Sequence, residues 1–152
     1  MHMFGILSPV MTLYKEKIVQ VKRSKAGLGL YAGQDIKKGA FVIEYMGEKI
    51  SPDEADRRGG KYLFTVNKKV VIDGKGRDNT ARYINHSCRP NCEAEVDEEK
   101  ERVRIFARKN IEKGAELNYD YGKEYWNDYI KPFGCRCDKC TQRKRRTKGG
   151  KK

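Results

Sequence analysis

The sequence predicts a mostly β domain, and three observations carry that expectation. Short apolar and β-branched runs recur between residues 15 and 121, each broken by glycine or a charged turn. Only one clear helix start occurs, at residues 51–54. Strands do not alternate with long amphipathic helices, which argues against a doubly wound nucleotide-binding fold.

Taken in order, Val19–Val21, Leu28–Ala32, Phe41–Tyr45, Tyr62–Val66, Val70–Ile72, Val103–Ala107 and Leu117–Tyr119 read as strands. Ser51 is a natural N-cap, Pro52 suits the first helical position, and Glu54 completes a capping box. Gly59-Gly60 ends that helix after two turns. The segment Ala32-x3-Ile36-x-Lys38-Gly39-Ala40 is echoed by Ala107-x3-Ile111-x-Lys113-Gly114-Ala115. Two copies are too few for a repeat architecture and read as two similar turns, each feeding a strand. From Gly122 to Phe133 runs an aromatic-rich linker with Tyr125, Trp126 and Tyr129. The expected organisation is an extension over 1–14, a domain over 15–122, a flank with a cysteine motif over 123–140, and a basic, disordered tail over 141–152.

At 152 residues the chain is one domain of ordinary size, long enough to bury a core without staples. It carries 34 Lys+Arg against 21 Asp+Glu, a net charge of +13. Seven of those bases, and no acid, fall in residues 141–152. That tail reads either as a solvated end or, over residues 143–152, as a nucleic-acid contact that releases counterions from phosphates. No apolar stretch approaches the ~20 residues that cross a bilayer, and residues 1–14 lack the pattern of a secretory signal, so no membrane partner is expected. The five cysteines, spaced Cys88-x3-Cys92 and Cys135-x-Cys137-x2-Cys140, make a poor disulfide framework and a good thiolate set. A reducing, intracellular compartment follows: the nucleus in a eukaryote or a host cell, otherwise the cytoplasm or nucleoid.

Two segments carry chemistry. Ala26-Gly27-Leu28-Gly29-Leu30 alone fits a tight turn, and because it precedes a strand it is not a dinucleotide fingerprint. Residues 82–92 are more specific, packing Asn85, His86, Ser87, Cys88 and Cys92 into a short run that ends in Pro-Asn turn chemistry. The plain alternative is a polar turn with a satisfied histidine. A nucleophile pair of Cys88 or Ser87 with His86 is disfavoured, because neighbours in sequence seldom meet in the required geometry and no orienting acid is near.

The chain resembles the SET-domain family of protein lysine methyltransferases. Five signatures stand in the family's order: Ala26-Gly27-Leu28-Gly29; Ile43-Glu44-Tyr45-x-Gly47-Glu48; Arg82-Tyr83-Ile84-Asn85-His86-Ser87-Cys88-x-Pro90-Asn91; Glu116-Leu117-x-Tyr119-Asp120-Tyr121; and a C-terminal cysteine cluster like the family's post-SET motif. The resemblance implies a mostly β SET-domain fold of several small sheets with short helices, a pseudoknot through the Asn-His-Ser segment and a post-SET zinc clip. It also implies methyl transfer from S-adenosylmethionine to lysine. That displacement needs a neutral amine, which a narrow, dry aromatic channel favours. By resemblance Tyr121 is the catalytic tyrosine, Tyr119 tunes how many methyl groups are added, and Tyr45 lines the channel.

Backbone around Gly27, Leu28 and Gly29 would approach the methionine part of the cofactor, while Asn85 and His86 would hold its amino-acid and adenine ends. Tyr45 and Tyr83 are further cofactor candidates, Tyr83 through its main chain. Ala26 and Leu28 stand where the family often has a basic or polar residue. Zinc would be held by Cys88, Cys135, Cys137 and Cys140, with Cys92 the alternative to Cys88. This cluster is two residues shorter than the family's usual Cys-x-Cys-x4-Cys. No cysteine-rich segment precedes the domain in this sequence, so no pre-SET zinc cluster is expected. The expected substrate is a lysine of a histone or another basic chromatin or nucleic-acid-associated protein. The rival is a non-catalytic SET-fold module that binds nucleic acid or chromatin through its basic tail. The intact set Asn85, His86, Tyr119 and Tyr121 favours the enzyme.

Overall fold

A computed structural model describes residues 18–25, 27–137 and 139–141. The expected extension at 1–14, Ala26 and the tail at 143–152 lie outside the described residues. Among the described residues the ten strands are β1 (Val19–Ser24), β2 (Gly27–Ala32), β3 (Phe41–Tyr45), β4 (Glu48–Ile50), β5 (Leu63–Thr65), β6 (Val71–Asp73), β7 (Asn85–His86), β8 (Cys92–Asp97), β9 (Arg102–Ala107) and β10 (Asn118–Tyr119). Helix α1 (Pro52–Arg58) follows β4, and a tight helical turn, Thr80–Tyr83, precedes β7. After β10 the short helix α2 (Lys123–Tyr125) runs on into a wider turn, Trp126–Ile130.

The fold is mostly β, as expected, in four small sheets. β1 pairs antiparallel with β2, β9 lies between β3 and β8, β6 lies between β4 and β5, and β7 runs parallel to β10. Leu30, Ile84, Val103, Ile105 and Leu117 are fully buried where these sheets meet, and Tyr45 and Tyr119 belong to the same core.

The two echoing turns pack on each other as a reciprocal pair. Ile36 and Ile111 exchange backbone hydrogen bonds of 2.8 and 2.7 Å. Asp35 Oδ1 accepts the Lys113 N–H and Asn110 Oδ1 accepts the Lys38 N–H, both at 2.9 Å. Gly39 and Gly114 both take positive φ, +87° and +90°, which glycine adopts without Cβ strain. The repeated motif therefore builds one joint of two matching halves, which fixes the entry to β3 against the run leading to β10.

Helix α1 starts as its cap predicts, with Ser51 Oγ accepting the Glu54 N–H at 3.1 Å. The capping box does not close. Glu54 binds Arg57 and Arg58 at 2.5 and 3.0 Å, because charge-assisted bonds to guanidinium are the stronger option for its carboxylate. Arg58 also reaches Glu48 at 2.8 Å and the buried Asp73 at 3.0 Å, tying α1 to the β4–β6 edge.

Strands β4, β7 and β8 were not expected from the sequence. β8, with the sequence Cys-Glu-Ala-Glu-Val-Asp, has weak intrinsic strand preference and is held by a six-residue register with β9. The aromatic linker is in fact helical. The Trp126 N–H bonds the Gly122 carbonyl at 3.0 Å, and the Lys131 N–H bonds the Trp126 carbonyl at 2.7 Å, one residue wider than an α-helical turn.

Candidate active site

The parallel pairing of β7 with β10 sets Asn85 against Asn118 and His86 against Tyr119, and the Ser87 N–H bonds the Tyr119 carbonyl at 3.1 Å. That register brings the Asn-His-Ser segment to the tyrosines of the C-terminal motif. The Tyr119 and Tyr121 rings lie 4.8 Å apart, and Tyr125 from α2 meets Tyr121 edge-on at 4.7 Å. Tyr129 continues the stack 4.8 Å from Tyr125, and its hydroxyl donates to the Gly60 carbonyl at 3.2 Å.

The hydroxyls are directed. Tyr45 donates to the Tyr62 carbonyl at 2.7 Å, and Tyr121 donates to the Ile84 carbonyl. Burial pushes the phenols of Tyr45, Tyr119 and Tyr121 far above the ordinary tyrosine value, and pushes Tyr125 up to about 12. All four therefore stay neutral near pH 7. They form a dry wall with oriented hydroxyls and supply no base. Tyr45 cannot shift freely: a Cβ at Gly74 would lie 2.5 Å from its ring, so only glycine fits there.

Two clefts meet at this wall. One, of about 870 Å³, is lined by Ser24, Asn85, His86, Glu116, Asn118 and the cysteine flank. The other, of about 650 Å³, is lined by Tyr45, α1, β5, Tyr119 and α2. Lys61, Tyr62, Arg82, Tyr121, Tyr125 and Tyr129 line both.

Asn85 Nδ2 lies within hydrogen-bond distance of Ser24 Oγ (3.2 Å), the Leu28 carbonyl (3.0 Å) and Glu116 Oε2 (2.9 Å), joining the glycine-containing hairpin to β7. Gly29 is needed for that approach, since a Cβ there would lie 2.6 Å from Glu116 Oε2. Leu28 thus touches the site through its carbonyl, while Gly27 lies exposed at φ +108°, outside both clefts. Tyr83 also lines neither cleft and packs under Arg82. His86 is covered by Trp126 and Tyr121, and burial holds its imidazole below the ordinary range against the opposing pull of Asp120.

The sulfur atoms of Cys88, Cys135, Cys137 and Cys140 all lie within 4.8 Å of one another. Cys88 is 3.9 Å from Cys135 and 3.7 Å from Cys140, close to the ~3.8 Å edge of a tetrahedron with ~2.3 Å zinc–sulfur bonds. Burial opposes ionisation of Cys137, yet hydrogen bonds from the backbone of residues 88 and 140 and the neighbouring thiols bring it down to about 7. Cys92 takes no part. It is fully buried in the main core, where burial pushes its thiol up to about 12, so Cys88 and not Cys92 completes the set.

Tyr62, Arg82, Tyr125 and Tyr129 were not singled out as site residues from the sequence. The density of aromatics in residues 122–133 was the available signal for two of them.

Residues 27–122 match the SET domain family. Histone-lysine N-methyltransferase 2D of Homo sapiens is 39% identical over 136 residues, covering 83% of this chain and 2% of that protein. Histone-lysine N-methyltransferase trr of Drosophila melanogaster is 40% identical over 134 residues, 80% of this chain and 6% of its own length. The H3 lysine-4 specific histone-lysine N-methyltransferase of Aspergillus oryzae is 40% identical over 136 residues, 81% and 11% respectively. The chain spans a small part of each of these relatives.

Proposed function

The chain belongs to the SET-domain family, and on that premise we propose that it is an S-adenosylmethionine-dependent protein lysine N-methyltransferase acting on a histone or similar basic chromatin protein. The observation that carries this reading is the tyrosine wall shared by two clefts, which gives two reactants separate entrances to one point. The larger cleft has the size and the mixed polar and aromatic lining that suit a cofactor of this class. When bound, that cofactor supplies a methyl group on a positively charged sulfur.

The chain's own residues do the rest. A lysine amine is neutral in only about one molecule in a thousand near pH 7. Tyr45, Tyr119, Tyr121 and Tyr125 exclude water around it, which disfavours its ammonium form. The wall also aligns the amine for in-line attack, and holding reactants in a near-attack geometry removes a large part of a bimolecular barrier. Asn85 and His86 stand at the larger cleft to orient the cofactor. A zinc ion held by Cys88, Cys135, Cys137 and Cys140 would pin the C-terminal flank, and with it Tyr125 and Trp126, over the site. Nuclear action follows from a chromatin substrate.

The test is transfer of a labelled methyl group to basic proteins and single-lysine peptides, with Tyr121→Phe as control. The wild type transfers label; the variant binds cofactor normally by calorimetry and loses at least about tenfold in rate. Near-normal turnover in Tyr121→Phe would remove Tyr121 from the mechanism.

A further inference from the structure

Arg82 is the third residue of the helical turn Thr80–Tyr83 before β7, on the wall common to both clefts. Its guanidinium lies 4.4 Å over the Tyr62 ring and 5.4 Å from the Tyr83 ring, and Nη1 donates to the Lys75 carbonyl at 2.5 Å. Tyr62 in turn provides the carbonyl that holds the Tyr45 hydroxyl. One side chain thus clamps Tyr62, and through it Tyr45, and also sets a permanent positive charge beside the channel.

We propose that Arg82 is a positioning residue for the tyrosine wall whose fixed charge favours the neutral form of the lysine amine entering the channel. The inference rests on the lysine-methylation reading and adds a second source of deprotonation beyond the dry wall. A cation near an amine disfavours its ammonium form, and arginine keeps its charge at every working pH.

The other charges of the smaller cleft, which this reading leaves to the substrate lysine, are Asp56 of α1, Glu124 of α2 and Asp128, with Lys61, Lys68 and Lys123. All six are exposed, so water and salt screen them, whereas Arg82 is half-buried in the wall. The facing phenols of Tyr45, Tyr119, Tyr121 and Tyr125 are neutral and add no compensating charge. The influence of Arg82 already reaches the wall. Burial is what keeps the Tyr45 phenol protonated; Tyr125, Tyr62 and the buried Asp73, itself paired with Arg58 at 3.0 Å, act in the same direction, and Arg82 is the neighbour that pulls the other way.

The experiment measures the single-turnover methyl-transfer rate against pH for the wild type, Arg82→Gln and Arg82→Lys. The rate rises as the bound amine loses its proton. Loss of the charge in Arg82→Gln moves the midpoint up on the order of one unit, so the rate falls about tenfold at neutral pH and recovers in alkali. Arg82→Lys loses the planar stack but keeps the charge, and holds the wild-type midpoint at a lower plateau. An unmoved midpoint in Arg82→Gln overturns the proposal, as does an equal shift in both variants.

A binding arm needs no turnover: peptides bearing lysine or uncharged norleucine are titrated at pH 7 with S-adenosylhomocysteine present. The norleucine preference of the wild type shrinks about tenfold in Arg82→Gln. An unchanged preference counts against Arg82. A wild type that binds both peptides but methylates none counts against the methyltransferase reading, and the binding ratio then decides on Arg82.

Discussion

The backbone N–H of Tyr121 donates to Nδ1 of His86 at 3.1 Å. An acceptor Nδ1 requires a neutral ring with its proton on Nε2, and Nε2 lies 3.5 Å from Cys88 Sγ. One imidazole therefore joins the tyrosine wall on one side to the cysteine cluster on the other. Asp120 stands 3.8 Å from Nδ1 but forms no ion pair with a neutral ring.

The first prediction follows from that bond. His86→Ala leaves the Tyr121 N–H without its partner, at a cost of about 1–3 kcal/mol for a buried donor. His86→Asn offers an amide oxygen near the place of Nδ1 and restores an acceptor. Single-turnover transfer is expected to fall at least about tenfold in the alanine variant and clearly less in the asparagine variant. Equal losses would mean that the hydrogen bond does not position Tyr121.

The cysteine geometry gives the second. Freshly purified, reduced protein should contain about one zinc per chain by mass spectrometry of the metal. Cys88→Ser should lose most of it, while Cys92→Ser keeps it, because Cys92 is enclosed in the main core. Chelation should lower activity as well as stability, since the cluster anchors the flank that carries Tyr125 and Trp126. Zinc-free wild-type protein, or retention in Cys88→Ser with loss in Cys92→Ser, would refute the ligand set.

These features were legible to different degrees. The cysteine spacing and the Ser51-Pro52 helix start are local chemistry, and both appear where the residues put them. The second half of the capping box failed because Glu54 had stronger partners in Arg57 and Arg58, three and four residues further on. Strand β8 could not be read from its alternating glutamates, because pairing with β9 supplies what its own propensity lacks. Residues 122–133 read as a linker although Tyr125 and Tyr129 stand at the i, i+4 spacing of one helix face, where they stack on one another and on Tyr121. Arg82 was visible as a motif residue, but its place between two clefts depends on Tyr62, twenty residues earlier.

The third prediction concerns Gly74. An added methyl group would lie 2.5 Å from the Tyr45 ring and 2.5 Å from Asn79 Nδ2. Asn79 cannot yield easily, because it is buried and holds both the Gly74 carbonyl and the Met46 N–H at 3.0 Å. Tyr45 must therefore move. Gly74→Ala is expected to cost about 1–3 kcal/mol in denaturant unfolding and to raise the KM for peptide. Wild-type stability together with a wild-type KM would show that the Tyr45 pocket is looser than its packing indicates.

The last prediction is about product multiplicity and rests on Tyr119. The hydroxyls of Tyr45 and Tyr121 are engaged by the Tyr62 and Ile84 carbonyls. Among the described residues Tyr119 has no such partner, and it lines the smaller cleft beside Tyr121. Of these three hydroxyls, that of Tyr119 is thus the one left to bond a channel water or the amine. A second or third transfer requires the bulkier methylated amine to turn and displace that water, and a hydrogen bond of about 1 kcal/mol resists the turn. The wild type should therefore make mainly mono- and dimethyl-lysine, and Tyr119→Phe should shift the distribution upward. The competing control is channel volume set by Tyr45 and Phe64, whose rings lie 5.3 Å apart. Mass spectrometry of a single-lysine peptide over a time course separates the two. Ready accumulation of trimethyl-lysine by the wild type, unchanged in Tyr119→Phe, would assign the limit to those walls and not to the Tyr119 hydroxyl.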